Sequence, residues 1–312
     1  MVIVVNLNSK AIAIICSRLC IEGDLKPYEP SEWAKLAERL ISANIMPYEV
    51  LSFSDDDLKS RLDFCPDEIE RLNRLSERSG CIAQEIERFA SMGINIMTRA
   101  DTSYPKALKQ KLGNSCPPIF YYAGNPALLG KKCVGFVGSR SANEDDEAFT
   151  VRTVKKCNSN GLAVVSGGAR GVDSIAQAAS IDNGSSCIAY IPDSLAKRIR
   201  DKSVADAVLH DQLVILSVAN PDAGFTAGMA LMRNKYIYSQ SVGTVVVKSD
   251  FNKGGTWRGA TDNLRKNRCV TFCWNNPAYK GNLELISRGA IPIDEEWNAD
   301  VIDLGHFSAN EK

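Results

Sequence analysis

Histidine, net charge and long apolar runs are what this sequence has least of. Two histidines occur in 312 residues, His210 just ahead of a predicted strand and His306 in the tail. Neither falls in a glycine-rich turn, so a Ser-His-Asp mechanism has no imidazole where it would need one. Lysine plus arginine and aspartate plus glutamate each number 37, a balance that, taken over the whole chain, argues against a nucleic-acid binder. The ten cysteines include no Cys-x-x-Cys pair, and Cys133, Cys187, Cys269 and Cys273 lie inside predicted strands. Buried thiols in a reducing compartment explain that pattern better than disulfides or zinc, and no metal is expected. The apolar start from Met1 to Cys20 is broken by Asn6, Asn8 and Lys10 and has no basic leader. Neither a signal peptide nor a membrane span is expected, and a cytoplasmic location follows.

What is present is an ordinary soluble balance, 45% hydrophobic and 24% charged, in a chain long enough for a large core and more than one domain. The charge is unevenly spread. Residues 1–100 carry 12 Lys/Arg and 16 Asp/Glu, leaving 25 and 21 for the remainder. Between Leu231 and Lys280 the cations Arg233, Lys235, Lys248, Lys253, Arg258, Arg265, Lys266, Arg268 and Lys280 face only Asp250 and Asp262. A neutral protein can therefore carry a local basic surface.

The stretch Cys133 to Asp173 organises the rest. It reads as a strand from Cys133 to Val137, a turn of Gly138, Ser139 and Arg140, a polar helix, a second strand from Leu162, and the loop Ser166, Gly167, Gly168, Ala169, Arg170, Gly171, Val172 and Asp173 running into another helix. Continuous β-branched runs alternating with helical patterns predict parallel strands buried on both faces. The fold class is α/β: a Rossmann-like, doubly wound, mostly parallel sheet from about Lys132 to Asp294, preceded by a helical N-terminal module over residues 1–100. Ligands of such sheets sit outside the carboxyl ends of the strands, where both glycine-rich turns fall. Glycines there let the backbone approach an anion, helix N-termini add free N–H donors, and Arg140 and Arg170 add forks suited to phosphate. The plainer reading, that the glycines only make tight turns, is weaker for two arginine-bearing turns than for one.

Along the first hundred residues, Ser31 is placed to cap a helix through Ile41, and Asp55 to Leu62 reads as another. Pro66 opens a long amphipathic segment with Ile69, Leu72, Leu75 and Ile82 on one face. The acidic residues here read as a solvated face, or more sharply as a partner-binding module. A short strand after Gly93, a turn at Tyr104-Pro105, and an extended entry through Pro117 and Pro118 into a strand ending at Gly124 and Asn125 follow.

This succession resembles the DNA-processing protein A (DprA/Smf) family over roughly residues 93–293. An aspartate and Tyr-Pro box is matched by Asp101, Tyr104, Pro105 and Leu108, and a Pro-Pro to Gly-Asn strand by Pro117, Pro118, Gly124 and Asn125. Val137 to Arg140 match the Val-Gly-(Ser/Thr)-Arg turn, and Ser166 to Asp173 the glycine-rich loop. Arg233, Asn234 and Lys235 match an Arg-Asn-(Arg/Lys) helix. Gly281, Leu285, Ile286, Gly289 and Ala290 match the ending. Departures mark a diverged branch: Gln177 stands where histidine is frequent, Leu216-Ser217-Val218 replaces a Leu-Ser-Glu box, and the small C-terminal winged-helix-like domain of many members is expected to be missing. The resemblance implies a dimeric, non-enzymatic protein without a cofactor. Such a protein binds and protects single-stranded DNA and helps load a RecA-type recombinase in DNA processing, recombination or uptake.

The residue chemistry is compatible with that. A single strand needs cations tracking phosphates and planar side chains for stacking. Lys235, Lys248, Lys253, Arg258, Arg265 and Arg268 are interleaved with Trp257, Tyr236, Tyr238 and Phe251. Core packing and solvated helix faces are the plain alternatives, with Trp257 the aromatic most expected to stack because it sits in the glycine-rich run Gly254, Gly255, Thr256. The expected phosphate-binding set is Gly138, Ser139, Arg140, Ser166 to Gly171, Asp173, Arg233, Asn234, Lys235, Lys248 and Gly254 to Trp257. The open alternative is a nucleotide-binding enzyme or sensor related to nucleoside-monophosphate phosphoribohydrolases, in a setting such as phage defence. Lys253-Gly254-Gly255-Thr256 resembles their loop, but the run to Asp262 offers no glutamate for general acid or base work.

Overall fold

The apolar runs do pair as parallel strands, and their order in the sheet creates a place where a ligand cleft opens. In the computed structural model, which describes residues 6–297, the helices α1 (Leu7–Cys16), α2 (Pro30–Ser42), α3 (Asp55–Leu62), α4 (Pro66–Ser76) and α5 (Ser79–Ser91) come first. Then follow β1 (Asn95–Thr98), α6 (Lys106–Leu112), β2 (Ile119–Gly124), β3 (Cys133–Val137), α7 (Glu144–Ser159), β4 (Ala163–Ser166), α8 (Val172–Asp182) and β5 (Cys187–Tyr190). The chain continues through α9 (Leu195–Arg198), α10 (Lys202–Leu209), β6 (Leu213–Ser217), α11 (Ala227–Gln240), β7 (Gly243–Val246), α12 (Gly254–Lys266), β8 (Val270–Trp274), α13 (Lys280–Ser287) and β9 (Ile291–Ile293).

The strands form one sheet in the order β1-β2-β6-β5-β4-β3-β7-β8-β9. From β6 to β9 every neighbouring pair is parallel, while β2 runs antiparallel to β6 and β1 antiparallel to β2. The chain steps one way from β3 through β4 and β5 to β6, then returns across β3 to lay down β7, β8 and β9. The strand order reverses between β3 and β7, and there the loops leaving the two carboxyl ends diverge. Both faces of the central strands are buried, as their unbroken apolar sequences require. One face packs against α7 and α8 around Phe136, Phe149 and Val172, the other against α11 and α12 around Ile237 and Ala260.

The helices ahead of the sheet have an apolar core of their own. Trp33, Leu36 and Leu40 of α2 meet Leu58, Leu62, Ile69, Leu72 and Leu75 of α3 and α4. Helix α1 faces both ways: Ile12 and Ile15 belong to that core, Ala13 and Ile14 to the sheet's. Each of the three isoleucines contributes about 1.5–3 kcal/mol on full burial, so α1 ties the helices to the sheet. β1 lies ahead of residue 100, where the sequence suggests a domain boundary, and is hydrogen-bonded to β2.

Three local expectations are corrected. The α2 cap is Glu29, in a reciprocal box with Glu32, and Ser31 sits inside the helix because Pro30 takes its first position. The amphipathic segment from Pro66 is two helices, α4 and α5, broken at Glu77 and Arg78. Arg78 is buried there, donating to the carbonyls of Leu75, Ile14, Ser17 and Leu19. It thereby satisfies acceptors that the end of α1 leaves open. Third, Cys20 and Cys81 are disulfide-bonded, S–S 2.08 Å. They are 61 positions apart and meet because α1 packs on α5, which no spacing rule reveals. Of the other cysteines, Cys65 is exposed and seven are buried.

Candidate nucleic-acid interface

The turn after β3 and the loop after β4 interlock before either can meet a ligand. Val172 donates its amide to the Ser139 carbonyl at 3.2 Å. Gly171, at φ +79°, lies so close that a Cβ there would stand 2.3 Å from the Ser139 oxygen, so only glycine fits. Ser166 Oγ, fully buried, donates to the Asp173 carbonyl at 2.8 Å and accepts from the Gly168 amide at 3.4 Å. Ser139 Oγ accepts from the Ser141 amide at 3.1 Å. Much of the polar inventory of these motifs is thus used internally, on making the turns.

Above them, α11 and α12 converge. The buried Arg233 of α11 donates to Asp173 Oδ2 at 3.1 Å. A Cβ on Gly167 would fall 1.2 Å from its guanidinium, so Gly167 is the floor on which Arg233 lies. Burial raises the Asp173 carboxyl above its ordinary value, the charges of Arg233 and Arg140 working against that rise. Asn234 donates to the Gly255 carbonyl at 3.0 Å, and Thr256 Oγ1 to the Gly138 carbonyl at 3.0 Å. The start of α12 is therefore pinned to both α11 and the β3 turn.

Between these elements, at the reversal of strand order, lies a cleft of about 570 Å³. Its walls include Gly138, Ser139, Arg140, Ala169, Asp173, Arg233, Asn234, Lys248, Gly254, Gly255 and Thr256. Helix α12 opens onto it with no side-chain cap and no acid in its first turn, which leaves N–H donors and a partial positive charge facing the space. Lys253 and Arg258, both exposed, stand beside that helix start. Lys248 is held at the other side: its ammonium lies 2.9 Å from Asp146 and 4.9 Å from the Tyr279 ring. Tyr279 also donates to Asp146, at 2.7 Å. Desolvation works against the Lys248 charge, but the Asp146 bond and charge outweigh it and its pKa is raised. A wider depression of about 1380 Å³ among the α1–α2 connection, α2 and α4 has no such character. Its arginines are matched in place, Arg18 by Glu29, Arg71 by Glu32 and Arg74 by Asp24.

The cleft thus gathers most of the expected residues from five separate stretches of chain. Arg170 is exposed but is not among the residues lining it, so the second arginine-bearing turn does not deliver its fork there. Lys235 points elsewhere on α11, half-buried over Tyr236 at 5.3 Å, its pKa lowered by desolvation and by the Arg268 charge. Trp257 is corrected outright as a free stacking ring. The glycine-rich run is the first turn of a helix, and the indole is 5% exposed between Phe251 and Arg288. Tyr238 lines the cleft as a buried part of its wall, and the exposed aromatic that reaches it is Phe225, 51% exposed in the loop between β6 and α11, with the Arg140 guanidinium 5.3 Å from its ring. The only signal of Phe225 in the sequence is an aromatic in the connection between a strand and the Arg-Asn helix. His210 bonds the Asp206 carbonyl at 2.7 Å on α10, and His306 lies outside the described residues.

Residues 95–302 match the family model of DNA recombination-mediator protein A. The chain belongs to that family. Among characterised relatives, the DNA processing protein DprA of Streptococcus pneumoniae is 30% identical over 175 residues, 55% of this chain and 59% of the relative. The chain's match therefore spans less than two thirds of that protein's length. DprA of Bacillus subtilis is 26% identical over 251 residues, 75% of this chain and 82% of that one. The fold matches the solved DprA of S. pneumoniae with a TM-score of 0.61 at 19% identity, covering 85% of this chain and 95% of that one. It matches DNA processing protein A of Helicobacter pylori, described for its unique single-stranded DNA binding mode, with a TM-score of 0.53 at 21% identity over 69% and 93%.

The family boxes now have physical roles. Asp101 accepts from Asn6 and Ser9 of the α1 start and from the Thr98 amide. Buried Tyr104 donates to the Pro117 carbonyl at 2.6 Å. Both are structural ties, whereas the β3 turn and the Arg-Asn pair build the cleft.

Proposed function

We propose that this protein binds single-stranded DNA, backbone first, in the cleft at the reversal of strand order. The observation that carries the reading is the uncapped start of α12, with Lys253 and Arg258 beside it, sharing one cleft with Arg140 of the β3 turn. Helix N–H donors and fixed cations at one site favour phosphate over any neutral ligand, and Phe225 gives a base a face to stack on. The binding mode described for the H. pylori relative supports the choice of a single strand. As a member of the recombination-mediator family, the protein then hands DNA to a RecA-type recombinase, as a homodimer in the cytoplasm. Residues 1–100 serve as a helical module on the Rossmann-like domain of residues 101–312, with β1 as the module's strand in the sheet.

Binding rather than catalysis is the reading, because Asp173 is committed to Arg233 and Asp250 stands exposed at the rim. Neither offers a buried carboxylate free for proton transfer. The test is a fluorescence titration with single-stranded oligonucleotide, duplex and free mononucleotides in parallel, across salt concentrations. The single strand is expected to bind most tightly, with affinity falling at a log–log slope of roughly −0.7 per phosphate contact. Arg140→Ala is expected to weaken all sequences alike and to flatten the slope, since it touches backbone and not base edges. Tight mononucleotide binding without oligonucleotide binding would favour an enzyme or sensor instead.

A further inference from the structure

We propose that a second stretch of DNA-binding surface leads out of the cleft from the start of α12 to the start of α13, with Phe251 as its stacking plate and Lys280 as its far cation. The proposal rests on the single-strand reading of the cleft and extends the path of the strand beyond it.

Phe251 sits two residues before Lys253, in the loop that carries the chain from β7 to the cleft rim, and its ring is 37% exposed. One edge is fixed by Trp257, whose ring lies 5.2 Å away at an interplanar angle of 77°. Lys280 Nζ stands 5.0 Å from the ring centroid. Helix α13, which Lys280 opens, has no side-chain cap and no acid in its first turn. An exposed ring braced by a second ring, with a solvent-exposed ammonium over it that can swing to a phosphate, is an arrangement that can take a base on the ring and its phosphate on the charge.

The charge of this surface is uncompensated where it matters. Asp262 is taken by Arg265 and Arg268, and Glu284 by Arg288. Lys253, Arg258 and Lys280 make no ion pair among the described residues, and Asp250 is the one exposed acid among them on this path. Lys253 and Arg258 already line the cleft. Phe251, two residues before Lys253, carries Lys280 over its ring, so a polyanion longer than the cleft gains by passing from the α12 start to Phe251 and Lys280.

The experiment compares a long oligothymidine of roughly twenty nucleotides with a short one of about four, which the cleft alone can hold. Fluorescence anisotropy is read for the wild type, Lys280→Gln and Phe251→Ala. Each variant is expected to bind the long oligonucleotide about fivefold or more weakly, the loss of one stacked base or phosphate contact, and the short one as the wild type does. Lys280→Gln should also make the salt slope for the long strand shallower by about 0.7. If Phe251→Ala disturbs Trp257 and lowers the melting temperature, the exposed Lys280→Gln decides the matter alone. Unchanged long-strand affinity, or an equal loss for both lengths, overturns the proposal while leaving the cleft reading intact. A wild-type protein that binds neither length overturns both.

Discussion

Arg233 and Asp173, sixty positions apart in the chain, meet with 3.1 Å between Nη1 and Oδ2, their side chains only 7% and 8% exposed. The pair fastens the first turn of α8 to the middle of α11, directly over Gly167. Those two helices approach the sheet from opposite faces, and the first turns of both line the cleft. Arg233 also keeps its Nε without a partner among the described residues. A guanidinium so deeply placed is held for geometry: it sets how far apart the glycine-rich loop and α11 stand.

Removing one member should therefore hurt far more than removing both. Arg233→Ala leaves Asp173 buried without its partner and is expected to cost about 3–5 kcal/mol, read as a lowered urea midpoint at unchanged slope. The double replacement Arg233→Met with Asp173→Leu fills the space without charge and is expected to recover most of that loss. A single variant that costs less than about 1 kcal/mol would show that the pair holds nothing together.

How much of this was legible beforehand depended on whether the signal was local. The β3 turn, the glycine-rich loop and the alternation of strands and helices are written in consecutive residues, and they led to the parallel sheet and to the cleft. The partners of Arg233, Asn234 and Lys248 are fixed only when the chain doubles back across β3, so all three read simply as cations or polar groups of a basic segment. Arg170 and Lys235 carry the right chemistry but are not among the residues that line the cleft. Trp257 misled because three residues that look like a flexible loop, Gly254, Gly255 and Thr256, form a helix start. The Cys20–Cys81 bond could not be read at all, because it depends on how α1 docks against α5.

Acid should loosen the helical module through Glu32. Arg71 grips that carboxylate with both nitrogens, at 2.8 and 3.0 Å, and its hydrogen bonds hold Glu32 below the ordinary glutamate value against the opposing effect of burial. A lowered carboxylate contributes stability that is fully present above the unfolded value, about 4.3, and is lost as pH falls through the lowered folded value. In urea unfolding followed against pH, Glu32→Gln is expected to be the less stable protein near neutrality and to show a flatter acid limb. Parallel curves for the two proteins would remove Glu32 from the account.

Phe225 and Trp257 should answer to opposite measurements. Trp257 is 5% exposed and packed under Arg288 and against Phe251, so Trp257→Ala opens a cavity in the sheet's α11–α12 side and is expected to cost about 3–5 kcal/mol of folding stability. Phe225 is half in solvent, with the Arg140 guanidinium lying over its ring at 5.3 Å. Phe225→Ala should leave the melting temperature nearly where it was and weaken single-stranded DNA by about 1–3 kcal/mol if a base stacks there. The ring also steadies Arg140, so part of that loss would come through phosphate. The two contributions separate in salt: lost stacking lowers affinity at every concentration by the same factor, whereas a loosened Arg140 contact flattens the slope by roughly 0.7. An unchanged affinity for Phe225→Ala would return the exposed ring to ordinary surface and leave the cleft with phosphate contacts alone.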